Sequence, residues 1–249
     1  MNSQSISSGP GPGTTCKDES RFYTHTQNLK TRLKRMVDLL RPVWTECNEV
    51  ALGIHTVPSP AATALANFKG SEWRGAITDK AKHRDNYAYA APDYWYLRKV
   101  ISILDPRPDD VVYDLGSGLG RFLCLVARAR IRRCVGIELF EPLCREAEKN
   151  AASLRGRKTQ IDVVCSDVAA ADLSDGTIYF MFNPFGSDTM KEVFANIRDS
   201  LAVNPRPVRI AYYNSFHADV LRSCGWLEEY HRFHTRSGMA VTFWKNQHP

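Results

Sequence analysis

The sequence predicts an α/β protein with a mostly parallel sheet, and three observations predict it. Short β-rich runs alternate with helix-compatible stretches from residue 92 onward. The run Val111-Val112-Tyr113-Asp114 breaks into a turn with three alternate glycines, Gly116, Gly118 and Gly120, and a helical stretch follows. The last two runs, 229–235 and 239–244, have only Arg236-Ser237-Gly238 between them. That leaves no room for a crossover helix, so they form an antiparallel hairpin.

The first fifteen residues are rich in Ser, Gly and Pro and show no charged leader followed by an apolar stretch. Residues 1–20 therefore read as a disordered tail and not as a secretory signal. Residues 21–91 read as an N-terminal helical and lid segment. Within it, Leu29, Leu33, Met36, Val37 and Leu40 recur at three and four, the pattern of an amphipathic helix over Leu29–Arg41. A Pro/Ala-containing connector covers roughly 53–70, and a polar stretch with aromatic residues runs over 71–91. Residues 92–249 form the main domain. A helix from Pro92 to Leu104 carries proline in its first turn. Strands follow near 111–115, 134–138, 160–164, 177–182 and 208–213, with helices near 119–130, 140–154, 187–202 and 216–223, before the hairpin.

Composition agrees. The chain has 249 residues, 43% of them hydrophobic, enough for one α/β domain with accessory segments. No stretch approaches the ~20 apolar residues of a membrane span. Seven scattered cysteines without a Cys-x-x-Cys suit a reducing cytoplasm, and Cys124, Cys134 and Cys165 read as small core residues. No metal site is expected at His231 and His234, which flank Phe233 on a late strand. The net charge of +6 concentrates on the helix Leu29–Arg41 and on Arg121, Arg128, Arg130, Arg132 and Arg133. Both clusters read as solvated faces. No nucleic-acid-binding module is recognisable, and a pI of 8.9 falls short of the stronger basic signature of such domains.

The glycine turn carries the functional signal. A strand, a glycine turn and a helix place backbone N–H groups at the carboxyl edge of a sheet, where open α/β folds bind ligands. The dinucleotide fingerprint Gly-x-Gly-x-x-Gly is not met, because the third glycine comes early and Arg121 stands in its place. Asp114 would repel a pyrophosphate but suits a ligand with an ammonium group. Glu138 ends the run Cys134-Val-Gly-Ile about twenty residues later, where a carboxylate accepts from ribose hydroxyls. Asp167 follows the run that begins at Ile161. The apolar run 177–182 reads as a strand buried on both faces, and it ends in Asn183-Pro184-Phe185. Asn183 or Ser187 is there also a candidate cap for the following helix.

The segment Asp114-Leu-Gly-Ser-Gly-Leu-Gly120 resembles the first motif of class I S-adenosylmethionine-dependent methyltransferases. Over about 92–245 the chain is most similar to DOT1-like histone-lysine methyltransferases and to small bacterial relatives of unassigned substrate. The latter also carry Asn-Pro-Phe and a stretch like Pro205-Arg-Pro-Val208. The resemblance implies a Rossmann-like class I fold, a seven-stranded sheet in the order 3-2-1-4-5-7-6 with an N-terminal helical extension. It implies S-adenosyl-L-methionine as cofactor, held by Asp114, Gly116, Ser117, Gly118, Gly120, Glu138, Asp167 and Asn183, with Tyr89 on a lid. Asn183, Pro184 and Phe185 would meet an unidentified acceptor, a nitrogen of a small molecule or protein side chain rather than a nucleic acid. The motif has one proline fewer than the Asn-Pro-Pro-Tyr/Phe of amino-nitrogen methyltransferases, which displaces the Phe185 ring by one residue. An acceptor needing a base would turn to Tyr87, Tyr89, Tyr212, Asn214 or His217. The chain has only a short basic helix, so histone specificity is not implied. The alternative is a non-catalytic module that binds S-adenosylmethionine or RNA.

Overall fold

In the computed structural model the described residues are 31, 32, 36, 40, 43–56 and 90–247. The chain divides into two compact units, Met1–Glu46 and Cys47–Pro249. The described residues of the first unit are helical, and Met36 and Leu40 are exposed there. Most of the connector, the polar stretch 71–89, Tyr87 and Tyr89 lie outside the described residues. The second unit reaches back to Cys47, so residues 47–56 pack with the domain that the sequence begins at 92.

The second unit is a seven-stranded sheet with helices on both faces. From residue 94 onward its helices are α1 (Tyr94–Leu104), α2 (Arg121–Val126), α3 (Glu141–Ser153), α4 (Ser187–Val203) and α5 (Ala218–Ser223). Its strands are β1 (Val111–Leu115), β2 (Arg133–Glu138), β3 (Ile161–Cys165), β4 (Ile178–Phe182), β5 (Arg209–Tyr213), β6 (Leu227–His234) and β7 (Ala240–Asn246). The order is β3-β2-β1-β4-β5-β7-β6, as the resemblance implied. The first five strands run parallel, and β7 is antiparallel to β5 and β6.

Alternation on the central strands builds two cores. Val112, Ile178 and Phe180 point to one face, against Leu97 and Val100 of α1 and Phe122 of α2. Val111, Tyr113, Tyr179 and Met181 point to the other, against Met190, Val193 and Phe194 of α4 and Leu221 of α5. Covered on both sides, β1 and β4 read as nearly continuous apolar runs, which is why they are legible in sequence.

Three expectations need correction. Pro92 does not sit in the first turn of α1; Asp93 caps that helix, its carboxylate accepting from the Trp95 N–H at 2.9 Å. Helix α2 is six residues long where the sequence suggests twelve. After Val126 the backbone turns away because the Ala127 carbonyl accepts from the N–H groups of Lys158 and Thr159, a tertiary partner that replaces helical bonding. Cys165 is exposed, whereas Cys124 and Cys134 are buried. It ends β3, an edge strand half open to solvent, so an apolar run there is not a core run.

Candidate active site

Every predicted cofactor residue among those described lies at the carboxyl edge of β1, β2, β3 or β4. The turn after β1 is shaped by its glycines: Gly116, Gly118 and Gly120 have φ of 75°, 55° and 77°, where any Cβ is strained. Gly116 has a second reason to be glycine. A Cβ there would lie 2.3 Å from Cβ of Pro184, so the glycine turn and the Asn-Pro-Phe turn pack directly together. The Gly116 and Ser117 N–H groups both donate to the Ile137 carbonyl, at 2.9 and 3.0 Å, which ties the turn to the end of β2.

Glu138 is fully buried, and its carboxylate organises the edge. Oε2 accepts from the Gly118 N–H at 2.8 Å and Oε1 from the Phe140 N–H at 3.1 Å. Removing it would leave two donors poorly matched as well as any ligand hydroxyls. Asp114 is buried one residue before the end of β1. Asp167 is half-buried, and its carboxylate accepts from the Ala169 N–H at 3.0 Å, which orders the turn after β3. A cleft between these turns is lined by Gly116, Glu138, Asp167, Pro184 and Phe185.

The acceptor-side residues divide. Asn183 has φ of 40°, a left-handed conformation that Asn tolerates better than most residues. Its Oδ1 accepts from the Tyr212 hydroxyl of β5 at 2.6 Å, and that hydroxyl accepts from the His217 N–H at 3.2 Å. Tyr212 is therefore a buried orienting group and not an open base. Neither Asn183 nor Ser187 caps α4; Gly186 occupies the cap position without a side-chain bond. Phe185 is 2% exposed and packs in the same core as Leu115, Met181 and Met190, so its ring is held in the protein interior. Asn214 is a second left-handed residue, with φ of 53°, just after β5.

Sequence reasoning missed a buried polar cluster behind the turn. Arg121, read as part of a solvated face, is 4% exposed and pairs with Glu49 at 3.1 Å. Its Nε donates to Thr56 Oγ1 at 2.6 Å and its Nη1 to the Pro92 carbonyl at 2.7 Å, and its guanidinium lies 4.5 Å from the centre of the Tyr94 ring. Burial pushes the Tyr94 hydroxyl up to about 12. Asn150 of α3 completes the strap, accepting from the His55 N–H at 2.7 Å and donating to the carbonyls of His55 and Leu119. The available signal was that residues 122–127 are all apolar, so the short helix has no solvent side on which its first residue could lie.

Gly136 was also unremarked. A Cβ there would lie 2.8 Å from Ser117 Oγ and 2.5 Å from Cδ1 of Leu123, so β2 has room for the turn and α2 only at glycine.

Comparison with known proteins finds methyltransferases. Residues 79–170 match the family described as "Histone methylation protein DOT1". The chain is 31% identical over 87 residues to a protein-lysine N-methyltransferase of Saccharolobus islandicus, a match covering 34% of this chain and 53% of that protein. It is 39% identical over 83 residues to the 23S rRNA (uracil(1939)-C(5))-methyltransferase RlmD of Aromatoleum aromaticum, covering 32% and 17%. The chain thus spans about half the length of the first relative and less of the second. Among solved structures, magnesium protoporphyrin IX methyltransferase of Synechocystis with bound SAM superposes with a TM-score of 0.50 at 13% identity, covering 74% of this chain and 96% of that one. The chain has the strand order of the class I S-adenosylmethionine-dependent methyltransferase fold and is similar in sequence to a methylation family over residues 79–170.

The superfamily's cofactor can be tested against the residues present. Ser117 Oγ is buried and has no hydrogen-bond partner among the described residues, an unusual state for a buried hydroxyl. It sits in a turn whose three left-handed glycines keep side chains away from the backbone. A polar ligand that brings its own donors and acceptors to this edge fits both features.

Proposed function

We propose that the protein transfers a methyl group from S-adenosyl-L-methionine to a nitrogen of a small molecule or protein side chain. One observation carries the reading: Gly116 and Pro184 are in contact, so the turn that suits the methionine end of the cofactor adjoins the turn suited to an acceptor. Asp114, the turn Gly116–Gly120, Glu138 and Asp167 would hold the cofactor. When bound, that cofactor supplies a sulfonium-activated methyl group, so the protein's share of the work is positioning and exclusion of water. Asn183 orients the acceptor. Its Oδ1 already accepts from Tyr212 and keeps one lone pair, enough to accept from an amine or amide N–H. A neutral nitrogen needs no base beyond that.

Two further points support the setting. The free thiols of Cys124, Cys134 and Cys144 suit a reducing compartment, in keeping with a cytoplasmic location. Among the described residues no helix is long and apolar enough to cross a membrane. Calorimetry with S-adenosylhomocysteine tests the reading directly. A dissociation constant in the micromolar range is expected, and no detectable binding by the folded protein would end it.

A further inference from the structure

The edge of the sheet opposite the glycine turn carries a second feature. Residues 127–133 lead into the first residue of β2 and residues 154–160 precede β3, so both segments lie at the amino ends of parallel strands. Together they hold seven Lys or Arg and no Asp or Glu. Nothing in the sequence joins them, but the fold does. The N–H groups of Lys158 and Thr159 donate to the Ala127 carbonyl at 2.9 and 3.0 Å. The buried Thr159 hydroxyl donates to the carbonyls of Ala129 and Ile131 and accepts from the Ile131 N–H at 3.1 Å. The Arg128 guanidinium lies over Gly156, within 3.6 Å of where a Cβ would stand. The two loops are therefore one rigid surface.

Its cations are largely uncompensated. Arg133 pairs with Asp162 and Asp175. Arg128, Arg130, Arg132, Arg155, Arg157 and Lys158 are exposed, and among the described residues none of them pairs with a carboxylate. Among the described residues the Arg155 and Arg157 side chains donate to the backbone carbonyls of Val50 and Ala151. A solvated face normally mixes both signs, and six like charges held on a rigid scaffold repel one another unless a polyanion covers them. Five of the six are Arg, whose planar fork matches phosphate oxygens two at a time.

We infer that this surface docks the phosphate backbone of a nucleic acid. It would bind without reading bases, because no aromatic side chain lies in either loop to stack on them. The site is on the edge away from the glycine turn, so it anchors the protein on a polymer and does not deliver the methyl acceptor.

The experiment is fluorescence anisotropy with a labelled 20-nucleotide single-stranded RNA, repeated with duplex DNA of equal length. Contact with four or five phosphates predicts that RNA affinity falls about fifty- to a hundredfold between 50 and 200 mM salt. The triple variant Arg128→Glu, Arg130→Glu, Arg157→Glu is expected to bind at least about a hundredfold more weakly, with its circular dichroism unchanged. Should it fail to fold, the milder pair Arg130→Gln, Arg132→Gln takes its place. Losing two contacts should weaken the salt response over the same range by about sevenfold. The inference is overturned by wild-type protein that binds neither nucleic acid at 50 mM salt, or by unchanged affinity in a folded variant. Competition by polyglutamate as effective as by unlabelled RNA would assign the surface to an acidic protein and overturn it equally. None of these readouts involves methyl transfer, so the outcome is separate from that of the calorimetric test above.

Discussion

The two turns that meet at the carboxyl edge are built by opposite means. The turn after β1 is made of backbone: three glycines in the left-handed region, with N–H groups donated to Ile137 and to the Glu138 carboxylate. The turn after β4 rests on a side chain: Asn183 holds a left-handed backbone while its amide is oriented by Tyr212, a residue of the neighbouring strand. The first kind of turn is intolerant of any added atom. The second tolerates the loss of an atom but loses its aim. That difference predicts distinct consequences for substitutions at either turn.

The largest effect is expected at Gly116. Gly116→Val places a branched side chain at φ of 75° and against Pro184, so S-adenosylhomocysteine binding should vanish in calorimetry while circular dichroism stays native. Retained affinity would make this only a packing turn. Next comes the support behind the turn. Arg121→Met leaves the Glu49 carboxylate buried without its cationic partner and should cost about 3–5 kcal/mol in denaturant unfolding. Adding Glu49→Gln should recover much of that loss, and a double variant no more stable than the single would show that the pair does not act as a unit.

Glu138→Ala removes the acceptor of the Gly118 and Phe140 N–H groups and should weaken S-adenosylhomocysteine binding by about 1–3 kcal/mol. A loss of stability with unchanged affinity per folded molecule would confine Glu138 to the scaffold. Asn183→Ala should behave differently from both glycine-turn variants. Single-turnover methyl transfer slows about tenfold through lost orientation, and cofactor affinity barely changes. The reverse pattern would place Asn183 on the cofactor. Tyr212→Phe should give the smallest change, about 0.5–1.5 kcal/mol of stability and a weaker copy of the Asn183→Ala defect. If Tyr212→Phe slows transfer while Asn183→Ala does not, the orienting role fails.

The same contrast explains what could be read in advance. A glycine turn is a local device, since positive φ and close approach require glycine whatever surrounds them, and so Gly116, Gly118 and Gly120 announce themselves. Strands β1 and β4 were legible for a related reason: burial on both faces leaves a continuous apolar run. Elements whose limits depend on a distant partner were not. The end of α2 is decided by the N–H groups of Lys158 and Thr159, which belong to the loop before the neighbouring strand. The burial of Phe185 among Leu115, Met181 and Met190, at the border of the cleft, was likewise not legible.

By itself, then, the sequence determined the class of fold, the strand–turn–helix that marks the ligand edge, and the acids at the ends of β2 and β3. These follow from local conformational rules and from burial, which act through neighbours in the chain. Only the tertiary structure decided where charge resides. It took Arg121 out of a basic cluster and sealed it against Glu49, because a helix with no solvent side must satisfy its first guanidinium internally. It added Arg155, Arg157 and Lys158 to the rest of that cluster, because Thr159 bonds one loop to the other. Spacing along a chain does not report such pairings, since hydrogen bonds between loops are set by where the strands beneath them lie.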